Sequence, residues 1–196
     1  MMLKSAVLAL LPLTTLLAQT APAKKQPMES YRFGVQVGLA FPGTDSVKYL
    51  SDKKMGFVFG GQCTWDVVDA GQRLRARLDF TMFPQASVKT LSGTGRLEDN
   101  TVTGIAVGMD YLYFVDGKPL GFFLAGGLTL NNWKQDSSLT GATTSTNLGI
   151  AAGGGWQFNR DLSLEARLAW SRWNTNFRPE STHNLGTVNL VASYRF

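Results

Sequence analysis

From Tyr31 to Phe196 the chain alternates large apolar side chains with small or polar ones, in eight segments separated by turn-rich gaps. A period of two places successive side chains on opposite faces, so each segment predicts a β-strand. The first, YRFGVQVGLAF, sets Tyr31, Phe33, Val35, Val37, Leu39 and Phe41 against Arg32, Gly34, Gln36, Gly38 and Ala40. In the second, KMGFVFGGQCTW, one face carries Met55, Phe57, Phe59, Gly61, Cys63 and Trp65. The third, RLRARLDFTMF, is the clearest: Leu74, Ala76, Leu78, Phe80 and Met82 oppose Arg73, Arg75, Arg77, Asp79 and Thr81. Further strands are predicted at about 103–115, 120–131 and 146–158, then over DLSLEARLAW and the closing GTVNLVASYRF.

The gaps alternate in length. DVVDAG, DGKP and NRD are short, whereas Pro42 to Asp52, Pro84 to Val102, Asn132 to Ser145 and Asn174 to Leu185 are long. An even number of strands, each about ten residues or more, with short turns at one end and long loops at the other, is the pattern of tilted strands crossing a membrane. Both termini then fall at the short-turn end, which reads as periplasmic. Aromatic residues gather at both ends of the strands, flanking an aliphatic middle as interfacial girdles do. The girdle is expected from Tyr31, Phe41, Trp65, Tyr113, Phe122, Trp133, Trp156, Trp170 and Trp173. A soluble barrel would turn its apolar face inward; here the bulky face suits lipid. The expected fold is all-β, an eight-stranded antiparallel up-and-down transmembrane β-barrel.

The N-terminus has one early charge at Lys4, an apolar run from Ala6 to Ala18 interrupted by Pro12, Thr14 and Thr15, then small residues. That run falls short of the ~20 residues of a spanning helix and predicts a secretory signal over 1–23, cleaved after Ala18 or Ala23. Residues 24–30 read as a polar periplasmic leader, and 31–196 as the barrel. Cys63 is the only cysteine, so an internal disulfide is excluded. Lys and Arg number 19 against 14 Asp and Glu, but the basic residues form no helical cluster, and export argues against nucleic acid as a partner.

The smaller face carries Arg32, Arg73, Arg75, Arg77, Asp79, Asp110, Glu165, Arg167 and Arg195 as interior charges. A bore of eight strands is filled by side chains, so buried charges must pair. Depth along the strands suggests Arg75 with Asp110 and Glu165 with Arg195. Two readings follow: a polar plug, or a narrow passage or small-ligand pocket that excludes cations. Inward glycines at 127, 149, 153 and 155 supply little volume opposite the arginines, which suits either reading.

Little points to catalysis. His183 lies in STHNLG beside Ser181 and Glu180, without an orienting acid on the barrel wall. One histidine and one lipid-facing cysteine make no transition-metal set, GTGR at Gly93 to Arg96 is too short for a phosphate loop, and no cofactor is implied. The long loops are rich in Ser, Thr, Asn and Gly, forming a hydrated cap or a surface for an extracellular partner. Lys48, Lys53, Lys54, Lys89, Arg96, Lys134, Arg172 and Arg178 are placed to touch lipopolysaccharide at the rim.

The whole segment from Tyr31 to Phe196 resembles the small eight-stranded outer-membrane barrels, the group of the OmpA transmembrane domain and OmpX. Its most specific feature is VNLVASYRF, where Val188, Leu190, Ala192, Tyr194 and the final Phe196 match the terminal signal read by the barrel-assembly machinery. The resemblance implies a monomer in outer-membrane lipid. Its members include stabilising proteins, adhesins, narrow channels and lipid-modifying enzymes; His183 with Asn184 and Leu185 departs from the strand-borne catalytic motif of the deacylase type.

Overall fold

The computed structural model describes residues 31–44, 47–48, 51–52, 54–67, 71–89, 97–138, 141–174 and 182–196, with side chains described at all of these except 87–89, 97–98, 173–174 and 182–183. The predicted signal and leader, and the loop residues Lys53, Arg96, Arg178, Glu180 and Ser181, lie outside the described residues. Eight strands follow in order: β1 (Arg32–Pro42), β2 (Gly56–Asp66), β3 (Gln72–Lys89), β4 (Leu97–Phe114), β5 (Gly121–Ser137), β6 (Gly141–Gln157), β7 (Leu162–Asn174) and β8 (Thr182–Arg195). Each pairs with its sequence neighbours, and β1 closes on β8 from Gly34↔Arg195 to Pro42↔Thr187. Beyond the last strand residue, the Phe196 N–H donates to the Phe33 carbonyl at 2.9 Å. Closure satisfies the backbone without a free edge, the condition for strands to sit in hydrocarbon.

The two faces separate as the alternation predicts. Leu128, Leu148, Val37 and Leu168 point outward and are 60% exposed or more, a surface that water would not tolerate and lipid would. Arg75, Arg77, Asp110, Glu165 and Arg167 point inward and are almost wholly buried. On the loop side the apolar belt ends abruptly. Leu130 pairs with Leu148, but one step outward Asn132 pairs with Thr146, and their side chains share a 2.7 Å hydrogen bond.

Two of the predicted long loops are mostly strand, and a third is strand at both of its ends. β3 and β4 remain paired out to Lys89↔Leu97, past an irregularity between Phe83 and Ala86, and β5 and β6 out to Ser137↔Gly141. β7 and β8 pair to Asn174↔Thr182, which puts the backbone of His183 opposite Trp173 rather than in a loop. The ladder from β2 to β3 stops at Phe57↔Met82, and that from β6 to β7 at Gly149↔Ser171. Strands β3 to β6 therefore project beyond the barrel as a four-stranded sheet, with edges along 84–89 and 141–148 that neither β2 nor β7 continues in its ladder among the described residues. Alternation failed to reveal this because the outer face turns polar once the chain leaves lipid, and the contrast between the two faces is lost. Pro84, which lacks an N–H, sits on one of these edges and blunts it.

The connection from β1 to β2 also departs from a free cap. Its Val47 is fully buried at the loop-side mouth, and Ser51 returns both its N–H and its hydroxyl to the Val47 carbonyl. The Thr44 hydroxyl bridges to β8, donating to the Asn184 carbonyl at 2.7 Å and accepting from the Gly186 N–H at 3.0 Å.

Inside, large side chains lie over glycines of the adjoining strand. Trp133 covers Gly104, Phe123 covers Gly155 and Arg77 covers Gly108; a Cβ on any of these glycines would meet the covering group at 3.0 Å or less. Gly126, on the outward face, has nothing within 4 Å of that position. Gly104→Val is expected to displace the Trp133 indole and lower stability by about 1–3 kcal/mol, the usual range for overpacking. Gly126→Val should be near neutral. Urea unfolding of both variants in micelles, followed by tryptophan fluorescence, checks the pair.

Candidate functional site

Among the described residues, charges of both signs converge in the interior of the barrel. Arg75 and Asp110 are directly paired across β3 and β4; the Arg75 Nε and Nη2 donate to Asp110 Oδ2 at 3.0 and 2.7 Å. The other edge of the same guanidinium reaches Glu165 on β7, with Nη1 at 2.5 Å from Oε2 and Nη2 at 3.0 Å from Oε1. Glu165 also accepts from Arg167 Nε at 2.9 Å and Nη2 at 3.1 Å. Arg167 Nη1 then donates to Asp79 Oδ2 at 3.1 Å, Arg77 Nη1 donates to the same oxygen, and Arg77 Nε returns to Asp110 Oδ2 at 2.8 Å. Three arginines and three carboxylates thus close a ring, alternating in sign and neutral in sum. Gln36 on β1 adds a donor to Asp79 Oδ1.

β3 and β7 are four places apart in a barrel of eight strands, so the ring crosses the full width of the bore. Apolar layers lie on either side of it. Toward the loops sit Ala40, Val47, Phe83, Val102, Trp133 and Leu185. Toward the turns sit Leu112, Phe114 and Phe123, with Ala125 against them. Between the ring and the loop-side layer is a cavity of about 20 Å³ lined in part by Arg77, Asp79, Thr129, Asn131, Trp133 and Asn189. It has room for roughly one water. Arg77 Nη2 and Asn189 Oδ1, both without a protein partner, belong to two of its lining residues.

Three expectations from sequence are corrected here. Glu165 does not pair with Arg195: Arg75 and Arg167 reach it first, through the bore rather than along the wall. Arg32 is a rim residue, one-third exposed, bound to Asp161 at 2.9 Å and to the Arg160 carbonyl at 2.8 Å. Trp133 leaves the girdle for the interior, where it is 7% exposed and donates to the Ser171 hydroxyl at 3.2 Å. Its parity on β5, odd like that of the inward Thr129 and Asn131, carried that information. Arg73 faces inward, 2.6 Å from Asp66 Oδ1, with its guanidinium 5.3 Å from the centre of the Phe114 ring.

The remaining girdle positions Tyr31, Phe41, Tyr113, Phe122, Trp156 and Trp170 are exposed on the outer wall, and Trp65 is half-buried there; the Trp173 side chain lies outside the described residues. Val188, Leu190, Tyr194 and Phe196 are likewise exposed outward, with Ala192 half-buried. At the rim, Lys54 donates to the Gln85 carbonyl and Lys134 pairs with Asp136. Among the described residues, no group of three His, Cys, Asp or Glu is placed to hold a metal ion, and no helix is long and apolar enough to cross a membrane.

The family described as outer membrane protein beta-barrel domain matches residues 7–196, nearly the whole chain. The chain belongs to this family. Its place is therefore the outer membrane, which the lipid-suited outer face explains physically. Ail, the attachment invasion locus protein of Yersinia pestis, is similar in fold at 14% identity and a TM-score of 0.56, over 85% of this chain and 97% of Ail. Ail in complex with the heparin analogue sucrose octasulfate matches at 16% identity and 0.56, over 85% and 99%. A major outer membrane protein of Thermus thermophilus matches at 15% and 0.52, over 85% and 100%. No curated protein sequence matches the chain. These likenesses concern the barrel fold alone.

Removing one member of a buried ion pair strands its partner, which costs about 3–5 kcal/mol. Glu165→Gln is expected to destabilise the barrel by that order. The double variant R75Q/E165Q should lose less than the sum of the single losses, because neither charge is then left alone. Denaturant midpoints of the three variants in lipid vesicles check the coupling.

Proposed function

We propose that this outer-membrane barrel is a closed structural anchor that presents its projecting sheet to an extracellular partner. Its turn end and both termini face the periplasm, and β3 to β6 extend outside the cell. The observation that carries the reading is that sheet, which continues beyond the lipid belt with Lys134, Asp136, Thr144 and Thr146 exposed on its outer face. Its two outer strands run past the β2 and β7 ladders, and the backbone groups there that are not already held, as Lys54 holds Gln85, are offered to an added strand. Ail, similar in fold, is named for attachment and invasion; that likeness agrees with a surface role without assigning one here. In this reading residues 1–23 are a cleaved signal and 24–30 a periplasmic leader. The strand ending in Phe196 engages the assembly machinery, and the monomer stands among lipid and lipopolysaccharide.

The alternative, a narrow anion-preferring pore or small-solute transporter, drew on the number of interior arginines. Three of them are matched by three carboxylates in the ring, and apolar layers lie above and below it. That arrangement favours the plug.

Planar-bilayer recording of the refolded barrel is expected to be silent; discrete anion-selective steps would replace the anchor reading with the pore. A T144C variant in a C63S background should react with a membrane-impermeant maleimide on intact cells, whereas K118C should not. Trimming Asp136 to Ala142 and closing Gln135 on Thr143 with an Asn-Gly turn should leave the folded gel mobility unchanged and remove partner binding. Binding that survives the trim would sink the surface reading.

A further inference from the structure

Each strand of the barrel is joined to the next along the chain, but β1 and β8 meet across a seam that no connection spans. A connection keeps two strands close even when the ladder between them melts. Nothing in the chain does so for β1 and β8, and the entropy of bringing them together falls on the contacts of the seam itself. The buried ring takes its members from β3, β4 and β7 and none from these two strands; β1 reaches it through the Gln36 amide.

Both ends of the seam carry bonds beyond the ladder. At the loop end the N–H groups of Gly43 and Thr44 donate to the Gly186 carbonyl at 2.8 and 3.2 Å. The Thr44 hydroxyl accepts from the Gly186 N–H at 3.0 Å and donates to the Asn184 carbonyl at 2.7 Å. One hydroxyl, with its proton and a lone pair, thus takes the place of a strand residue's N–H and carbonyl. The fit requires a glycine opposite it, since a Cβ on Gly186 would lie 2.6 Å from Thr44 Cγ2.

At the turn end both strands are tied to one residue, Asp161. Its carbonyl accepts from the Arg195 N–H on β8 at 2.8 Å, and its carboxylate accepts from Arg32 Nη2 on β1 at 2.9 Å. Arg32 Nη1 adds the Arg160 carbonyl at 2.8 Å. The turn that presents Asp161 is itself held, because Asn159 Oδ1 accepts from the N–H groups of Asp161 and Leu162, each at 2.8 Å.

We propose that Thr44 and Asp161 are latches on the β1–β8 seam, and that lateral parting of these two strands is the step by which the inserted barrel opens. A latch that is broken in the opening step governs the rate of opening and leaves the rate of closing nearly unchanged. The latches belong to the barrel wall and are independent of the projecting sheet and of the surface role proposed for it.

The test is the rate of unfolding in urea, in lipid vesicles, read from the folded gel mobility. T44V and R32Q are each expected to speed unfolding at least threefold, and together at least tenfold, with refolding within twofold of native. Y111F removes a 2.7 Å hydrogen bond to Gln72 between the chain-joined strands β3 and β4, and should leave the rate within twofold. The deciding measurement locks the seam. Val37 and Ala192 are directly paired on its outer face, so V37C/A192C in a C63S background sets two thiols at cross-strand distance for a disulfide. With the disulfide formed, T44V/R32Q should unfold within twofold of the locked native chain, and added reductant should restore the difference. Equal acceleration in locked and reduced barrels would overturn the proposal. So would an effect of Y111F as large as that of T44V, or latch variants that slow refolding without speeding unfolding.

Discussion

Glu165 accepts four guanidinium hydrogen bonds, two from Arg75 and two from Arg167, and the organisation of the bore follows from that grip. A carboxylate taken so far from water survives only when cations surround it, and those cations in turn require Asp110 and Asp79. The requirement closes on itself as a neutral ring. Because the ring joins opposite walls, a slip of one residue between β3 and β4 would send Arg75 or Asp110 into lipid. Register and charge pairing therefore enforce each other.

Volume imposes the second condition. Eight strands leave a bore that side chains must fill, and Arg77, Trp133 and Phe123 fit because the neighbouring strand offers each a glycine. Trp133 over Gly104 and Phe123 over Gly155 place the apolar layers at the two ends of the polar centre. Dry layers lower the local dielectric around the ring, which strengthens its pairs and penalises any unmatched charge. Arg195, in the turn-side mouth, bears that penalty.

Strand length sets the third feature. β1 and β2 have 11 residues each and match the membrane, whereas β3 to β6 have 17 or 18 and overrun it on one side. The excess stays paired within itself because a polar hairpin in water still gains its ladder hydrogen bonds. A rigid support within the lipid and a hydrated sheet beyond it are consequences of one unequal set of strands.

Outward faces, strand number and the interior charges other than Arg32 were legible in the sequence, because lipid on one side and a filled bore on the other impose a strict period of two. Trp133 was legible too, by parity, though aromatic type suggested a girdle. The β3–β6 extension was hidden, since Thr143, Ser145 and Asn147 alternate with nothing apolar once lipid is left behind. Partner choice among the charges belonged to the tertiary structure alone. Periodicity orders residues along a strand, but the contact from Arg75 to Glu165 crosses an open distance fixed only by barrel closure and strand stagger. Arg195 was named as an interior charge from its place in the alternation; that its Nε–Nη2 edge meets no carboxylate was decided by which acids that closure brought to the other arginines.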